Sequence, residues 1–501
     1  MNKKRIAFLA CILIVVIGLV CAVLCRKPEI PPEVQTDPWK VTRHEATCES
    51  AGYTMRENIE TGIIEIQDEV PALGHNYGDW TTDKATGGSV RTCSVCGQTQ
   101  TQLPSAQINL PEIHLEGNID GISKENRVLL RASVQDNPVS FDCYAYTSWQ
   151  GHSTLDNEKK NYTIRLFYDE AITNKYRLEM RPGWQLEHKY VLKANYADAT
   201  QVRNLLCADV WAQMAATRAG MEPRLAATSN YGATDGFPVT VWLNGEFHGL
   251  YTLNLHKDDD LYSMKKGWTD AVMICNGSAA QESMFRAETN FTNEENGWEV
   301  EFCGTDDTSW AEDSFNQLIR FVMTADDETF RNQLKNHMDV DSGIDYLLFM
   351  YAMGLTNNDA KDLVMLSYEN GPWIASVYDM ETAFGLAADG ASASSADAFR
   401  PEKNDGIWRS GTDNLLWDRM LNAFEPQIIS RWQDLRQNVL TEENLTMQLK
   451  ALQDQVPTAA IERDLALYSA RTAIDEPHRQ MEAYIQQRLP LLDAVFAASQ
   501  E

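Results

Sequence analysis

Two short apolar runs that share a carboxylate-rich end constrain this chain more than any other feature. Asn357-Asn358-Asp359-Ala360-Lys361-Asp362 leads into Leu363-Val364-Met365-Leu366-Ser367-Tyr368. A turn at Asn370-Gly371-Pro372 follows, then Trp373-Ile374-Ala375-Ser376-Val377-Tyr378 and the acidic turn Asp379-Met380-Glu381-Thr382-Ala383-Phe384-Gly385. The pattern predicts a hairpin. Its two strands bring the loop before the first and the turn after the second to one end, so Asp359, Asp362, Asp379 and Glu381 can converge. Asp379 and Glu381 alternate and face one side of an extended chain. Gathered carboxylates repel unless a cation neutralises them, and hard oxygen ligands suit Mg²⁺ or Mn²⁺. An early Asp as base and a later Asp on a metal is an arrangement that phosphoryl transfer uses. Acidic residues at strand ends are also commonly just solvated, so the pattern leaves both readings open.

The charge balance narrows the partners. Lys+Arg 43 against Asp+Glu 72 gives a net charge of −29 over 501 residues. That argues against nucleic acid and against anionic lipid as partners of the main body. The length leaves room for two or three domains.

From the N-terminus, Lys3, Lys4 and Arg5 precede an uncharged apolar run from Ile6 to Cys25. Twenty helical residues can cross a bilayer. A cleaved signal peptide is the rival, but Val23-Leu24-Cys25-Arg26-Lys27 is a poor cleavage site. The expectation is a single N-terminal membrane anchor over residues 1–27 with the main domain outside the cytoplasm. A Pro-rich linker follows over 28–40. Residues 41–104 hold a faint repeat, in which Glu45-Ala46-Thr47-Cys48 through Tyr53 echoes Lys84-Ala85-Thr86-Gly87 through Thr92. Cys48, His75, Cys93 and Cys96 could supply four ligands to Zn²⁺, since a C-x-x-C closed by Gly97 is half of a zinc knuckle. A disulfide at or near Cys93 and Cys96 is the alternative. The stretch is similar to short Cys-rich repeats that accompany other domains in surface proteins of Gram-positive anaerobes.

The main domain is expected over 105–501. Strands are predicted at Ile108–Leu115, Val128–Val134, within Lys159–Phe167 and at Lys189–Asn195. A hairpin turning at Asn244-Gly245 spans Val239–Leu253, and Asp198 or Thr200 would cap a helix from Val202 to about Thr217. Lys160 falls in phase with Tyr162, Ile164 and Leu166 just after the Gly151 loop, where it could reach phosphates or simply snorkel. Arg203 could pair with a phosphate or a carboxylate. His248, His256 and Asp258-Asp259-Asp260 read as solvated, and Cys275 and Cys303 as a possible disulfide. Helical periodicity starts near Ser314, recurs over Ile344–Tyr351 and runs from about Asn414 to the C-terminus. Ala387–Ala398 reads as a mobile loop beside the acidic turn.

The chain resembles the CotH kinase family, over roughly Ile108 to Phe496. The resemblance rests on Gln150-Gly151-His152-Ser153-Thr154 with Lys159-Lys160-Asn161-Tyr162, and on Leu192-Lys193-Ala194-Asn195-Tyr196 through Asp198 to Arg203-Asn204. It continues in Asn244-Gly245-Glu246-Phe247-His248-Gly249-Leu250-Tyr251 and Tyr378-Asp379-Met380-Glu381-Thr382-Ala383-Phe384-Gly385. It implies an α+β, atypical protein-kinase-like fold of two lobes, with a β-rich N-terminal part and a helical C-terminal part. It also implies ATP-dependent phosphorylation of Ser residues in spore-coat-type or surface proteins. By position, Asp359 matches the catalytic Asp and Asp379 the metal-binding Asp, helped by Asp362 and Glu381. Lys160, with Lys193 second, is the expected phosphate-contacting lysine, and Gly151, Ser153 and Arg203 join the expected ATP site. Many relatives carry Asn where this chain has Asp362, and Asp where it has Glu381. A non-catalytic, membrane-anchored envelope binding protein is the alternative reading.

Overall fold

The computed structural model describes residues 38–79, 81–82, 89–102, 110–151, 153–275, 285–286, 297–356, 358–468, 473–474 and 476–498. The chain divides into two compact units, Met1–Pro104 and Ser105–Glu501. The expected anchor at Ile6–Cys25 lies outside the described residues, and among those residues no helix is long and apolar enough to cross a membrane. The expectation of an anchored protein with an extracytoplasmic main domain is corrected accordingly.

The smaller unit is built from two three-stranded antiparallel meanders. The first joins β1 (Trp39–His44), β2 (Gly52–Asn58) and β3 (Ile64–Val70), and the second joins β4 (Thr81–Thr82), β5 (Ser89–Thr92) and β6 (Thr99–Gln102). Every residue of β3 is exposed.

The larger unit mixes strands and helices. β7 (Glu112–Glu116), β8 (Val128–Gln135), β9 (Asp142–Gln150), β10 (Asn161–Phe167), β11 (Lys189–Lys193), β12 (Gly236–Leu243) and β13 (Glu246–Leu255) form a closed barrel in the order β10-β11-β13-β12-β7-β8-β9. All its pairs are antiparallel except β12 with β7. The β12–β13 turn is the expected Asn244-Gly245, both residues at positive φ (51° and 80°) as a two-residue hairpin of right-handed strands demands. Tyr162, Ile164 and Leu166 of β10 point into the barrel's apolar core.

A second sheet, in the order β15-β14-β16-β17, joins β14 (Ala271–Cys275), β15 (Trp298–Cys303), β16 (Val364–Ser367) and β17 (Ile374–Ser376). Every residue of β14 and β16 is buried, because the sheet separates two cores. Ala271, Met273, Cys275 and Met365 face the helical core, whereas Val272, Ile274, Val364 and Leu366 face the barrel core. Burial on both faces explains runs that are apolar without alternation. The helical core gathers Arg203–Ala216, Ser309–Thr324, Val340–Met353 and the five helices between Leu415 and Ala498. Val340–Met353 starts with the Asp339 side chain accepting from Ser342 N at 2.6 Å and ends at Gly354 in the left-handed region (φ 67°).

Three local expectations are corrected. Cys275 pairs opposite Trp298 and Cys303 opposite Ala271, at opposite ends of β14 and β15, so the two thiols cannot join. His256 and Asp258 are buried rather than solvated, because Asp258 ion-pairs with Lys189 at 2.6 Å and lies 3.4 Å from His256. The Ala387–Ala398 loop does border the acidic turn, but its far end is held by Arg488, whose guanidinium donates to the carbonyls of Ala396 and Phe399.

Candidate functional site

The hairpin of β16 and β17 forms with Val364 opposite Ser376 and Leu366 opposite Ile374. It brings residues 358–362 alongside 378–381. Asn358 Nδ2 donates to the carbonyl of Tyr378 at 3.2 Å, and the Tyr346 hydroxyl donates to the carbonyl of Asn358 at 2.8 Å. Asp362 and Asp379 both sit in the left-handed region, at φ 60° and 51°. Such a conformation costs a non-glycine residue free energy and persists only where its surroundings impose it. The surroundings here are specific. Asp362 N donates to the carbonyl of Cys275 at 2.9 Å, and Met380 N donates to Asn204 Oδ1 at 2.6 Å.

A cleft of about 560 Å³ opens between the polar face of the barrel and these loops. Ser148, Gln150, Gly151, Asn161, Thr163 and Arg165 come from the barrel side. Asn358, Lys361, Asp362, Tyr378, Asp379 and Glu381 come from the loop side, with Glu299 and Glu301 of β15. Six cationic side chains line it (Lys124, Arg127, Arg165, Lys193, Lys257 and Lys361) against five carboxylates. In a chain of net charge −29, that is a strong local enrichment of positive charge and suits a polyanionic ligand.

The pivotal contact is Lys193 Nζ to Asp379 Oδ1 at 2.6 Å. Lys193 ends β11, and its ammonium also lies 5.0 Å over the Tyr378 ring, which Lys257 approaches to 5.3 Å. Burial, the largest single effect, would raise the Asp379 carboxyl, but Lys193 together with Lys361 and Lys257 outweighs it and holds Asp379 below the ordinary carboxylate range. Burial pushes Asp362 up to about 8, and the neighbouring Asp379 charge adds to the shift. Lys257 is held by Glu301, so the rim of the cleft is a relay of opposite charges.

The residues expected from sequence separate by position. Asp362, Asp379, Glu381, Gly151 and Lys193 all line the cleft. Lys160, the first choice for the phosphate-contacting lysine, does not. Its ammonium donates to the carbonyls of Leu155, at 2.6 Å, and Asn157, and lies 5.2 Å over the Trp149 ring. Its neighbour Lys159 is buried against Asp464 at 2.9 Å. Arg203 is fully buried away from the lining. Its Nε is 3.3 Å from Asp198, its Nη1 donates to the carbonyl of Ala383 and its Nη2 donates to Gln480 at 2.9 Å. It braces the turn that carries Asp379 and Glu381 from behind. Ser153 opens the short helical turn Ser153–Asp156, and His152 lies outside the described residues.

Asp359 is 1% exposed and is not among the lining residues. Its Oδ2 is 3.2 Å from Arg286, and its Oδ1 is buried without a hydrogen-bond partner. Asn414 Nδ2 and Trp417 Nε1 both donate to its carbonyl oxygen at 2.7 Å, fixing its backbone. Burial pushes its carboxyl up to about 6, with Arg286 opposing.

Sequence reasoning passed over Arg165, Arg127, Lys124, Lys257, Glu299 and Glu301. The signal for Arg165 was present. Asn161, Thr163 and Arg165 alternate with the apolar face of β10, and it is their face that lines the cleft.

Among the described residues, two groups of ligand-type side chains bring their donor atoms within 4.8 Å of one another. They are Cys48, His75, Cys93 and Cys96, and Glu187, Asp258 and Asp260. Asp362, Asp379 and Glu381 do not form a third such group. Spaced as they are, these three could hold only an ion that keeps part of its water shell and takes its other ligands from a bound phosphate, as Mg²⁺ does.

A comparison with curated proteins gives no match. A family model described as CotH kinase protein matches residues 148–492, well over half of the chain. The match begins inside β9, so β7, β8 and the Cys-bearing unit lie outside it, although a likeness from about residue 108 was expected. The cleft residues from Ser148 onward, including Lys193, Asp362, Asp379 and Glu381, lie inside it. On that match, the chain belongs to the CotH kinase family.

Proposed function

We propose that the chain transfers the γ-phosphoryl group of ATP to Ser hydroxyls of a protein substrate, using the cleft between the barrel and the 358–381 loops. The observation that carries this reading is the Lys193–Asp379 ion pair in a cleft lined by six cations. On this reading the ammonium would bind phosphate and the carboxylate beside it would help hold a divalent ion. A cleft of about 560 Å³ is within the usual range for a ligand of nucleotide size.

A bound Mg²⁺ or Mn²⁺ would neutralise charge on the phosphates. Asp379, with Asp362 or Glu381, would hold it. Lys193, on the phosphates, would exchange part of its contact with Asp379 for phosphate oxygens, and Arg165 and Lys257 would add positive field. Lys193 thus takes the role expected first of Lys160. Asp359 would accept the Ser proton as Oγ bonds to the γ-phosphorus and the bond to the bridging oxygen of the departing ADP breaks. For this its carboxylate must be released from Arg286. The two-lobed kinase-like arrangement belongs to this proposal too, with the barrel and β14–β17 as one part and the helices as the other.

The Asp359–Arg286 pair favours a second reading, in which the cleft binds a nucleotide without transferring phosphate. Labelled ATP, Mg²⁺ or Mn²⁺ and a Ser-rich acceptor protein separate the two. Transfer that falls about 10²–10³-fold in Lys193→Met, and is lost in Asp379→Asn and Asp359→Asn, supports the kinase. Binding of ATP with no transfer by wild type supports the second reading. Transfer unchanged in all three variants overturns the assignments.

A further inference from the structure

The 38–102 unit has, among its described residues, strands but no hydrophobic core. Among its described residues the buried hydrophobic side chains are Cys48 and Cys93, whereas Ile59, Ile63, Ile64, Ile66, Val70 and Leu73 are all more than half exposed. A unit this small cannot rest on such packing and needs a covalent or metal crosslink.

The backbone carries thiols and an imidazole to one point. Leu73 N donates to the carbonyl of Thr47 at 2.8 Å and Gly74 N to that of Cys48 at 3.1 Å, which lays the turn before His75 against Cys48. Ser94 N donates to the carbonyl of Asn76 at 2.9 Å, and Tyr77 bridges to Cys93, which lays the turn after His75 against the C-x-x-C. Gly97 N then closes onto the carbonyl of Cys93 at 2.9 Å, and Gly97 sits at φ 78°, a conformation that favours glycine.

We propose that Cys48, His75, Cys93 and Cys96 hold one structural Zn²⁺, and that this ion does for the 38–102 unit what a hydrophobic core does elsewhere. The distances match the ion. Zinc bonds of about 2.3 Å to sulfur and about 2.0 Å to nitrogen, set tetrahedrally, give S–S edges of about 3.8 Å and S–N edges of about 3.5 Å. Cys48 Sγ lies 3.8 Å from Cys93 Sγ, and Cys96 Sγ lies 3.4 Å from His75 Nδ1. Glu49 Oε1 stands 3.5 Å from His75 Nε2. With Nδ1 turned to the Cys96 sulfur, Nε2 is left toward Glu49, on the side where a metal-bound histidine usually finds its outer partner. A disulfide uses two of these groups and leaves no reason for Cys96 and His75 to converge on the others.

The full-length chain, purified without chelator, tests this by elemental analysis. The expected result is one zinc per chain, kept in Cys303→Ser and lost in His75→Ala and Cys96→Ser. Cobalt exchanged for zinc should show the visible bands of a tetrahedral thiolate site. Cys96→His, which keeps a donor, should retain the metal if the others fail through misfolding. Glu49→Gln should weaken zinc at least about 10-fold in competition with a chromogenic chelator. Removing the metal should open residues 38–102, and not 110–498, to limited proteolysis. A chain that takes up no zinc, or whose intact mass shows Cys48 joined to Cys93, overturns the proposal. So does zinc bound equally well by His75→Ala and Cys96→Ser.

Discussion

At Asp359 burial and a neighbouring guanidinium pull in opposite directions. Burial is the larger effect and sets the carboxyl near 6, with Arg286 holding it from going higher. A base must be deprotonated to accept a proton, so transfer should rise with pH through about 6 and level off above it. Removing Arg286 takes away the opposing charge, so Arg286→Gln should move that limb to higher pH. A pH–rate profile of both proteins checks it, and a limb that stays put or moves down contradicts the role given to Arg286. That Asp362, Asp379 and Glu381 reach one cleft was legible, because a loop and a turn at one end of a hairpin must meet; that Asp359 leaves that group for Arg286 was not. Lys193 over Lys160 was not. Both follow strand patterns, and only the barrel's closure decides which ammonium meets Asp379.

At the scale of elements, the Arg203–Ala216 helix works as a brace. Its first two residues reach the turn after β17, Arg203 through the carbonyl of Ala383 and Asn204 through the amide of Met380. Asp198 receives Arg203 in turn, and both are almost fully buried. Taking away one partner of a buried pair strands the other charge, so Arg203→Met should cost roughly 3–5 kcal/mol in urea unfolding. Asn204→Ala should cost less in stability yet raise the KM for ATP, because it frees the backbone of the Asp379–Glu381 turn. Equal losses of stability with unchanged kinetics would show that this helix supports the fold alone. Of Asp198 and Thr200, the two expected caps, neither is the N-cap residue of this helix, which is Val202, and Asp198 instead accepts from Arg203 N. The helix itself was readable in the local sequence. Its partner was not, because Ala383 is 180 residues away.

For the whole molecule, the question is whether the cleft is already shaped for its ligand. The Lys193–Asp379 and Lys257–Glu301 pairs hold both walls in place, so binding of a nucleotide with its cation should stabilise the folded larger unit. With ATP and Mg²⁺ at about 100 times the dissociation constant, the gain is about 2.7 kcal/mol, which appears as a rise in Tm. Lys193→Met should shrink that shift, whereas Lys160→Met should leave it nearly intact. A shift sensitive to Lys160 and not to Lys193 would return the phosphate contact to the residue that the sequence favoured.

The sequence by itself determined the hairpin that carries the carboxylates, the Asn244-Gly245 turn, the apolar stripes of the helices and the set of thiols that could take zinc. These follow from period, turn chemistry and spacing, which act over a few residues. Only the tertiary structure decided that β14 and β16 are covered on both faces, that Lys257 and Glu301 meet in the cleft, and that Asp359 faces Arg286. Those outcomes depend on which surfaces meet when the barrel closes and the helices pack. Contacts between residues far apart in the chain leave no local periodicity to read.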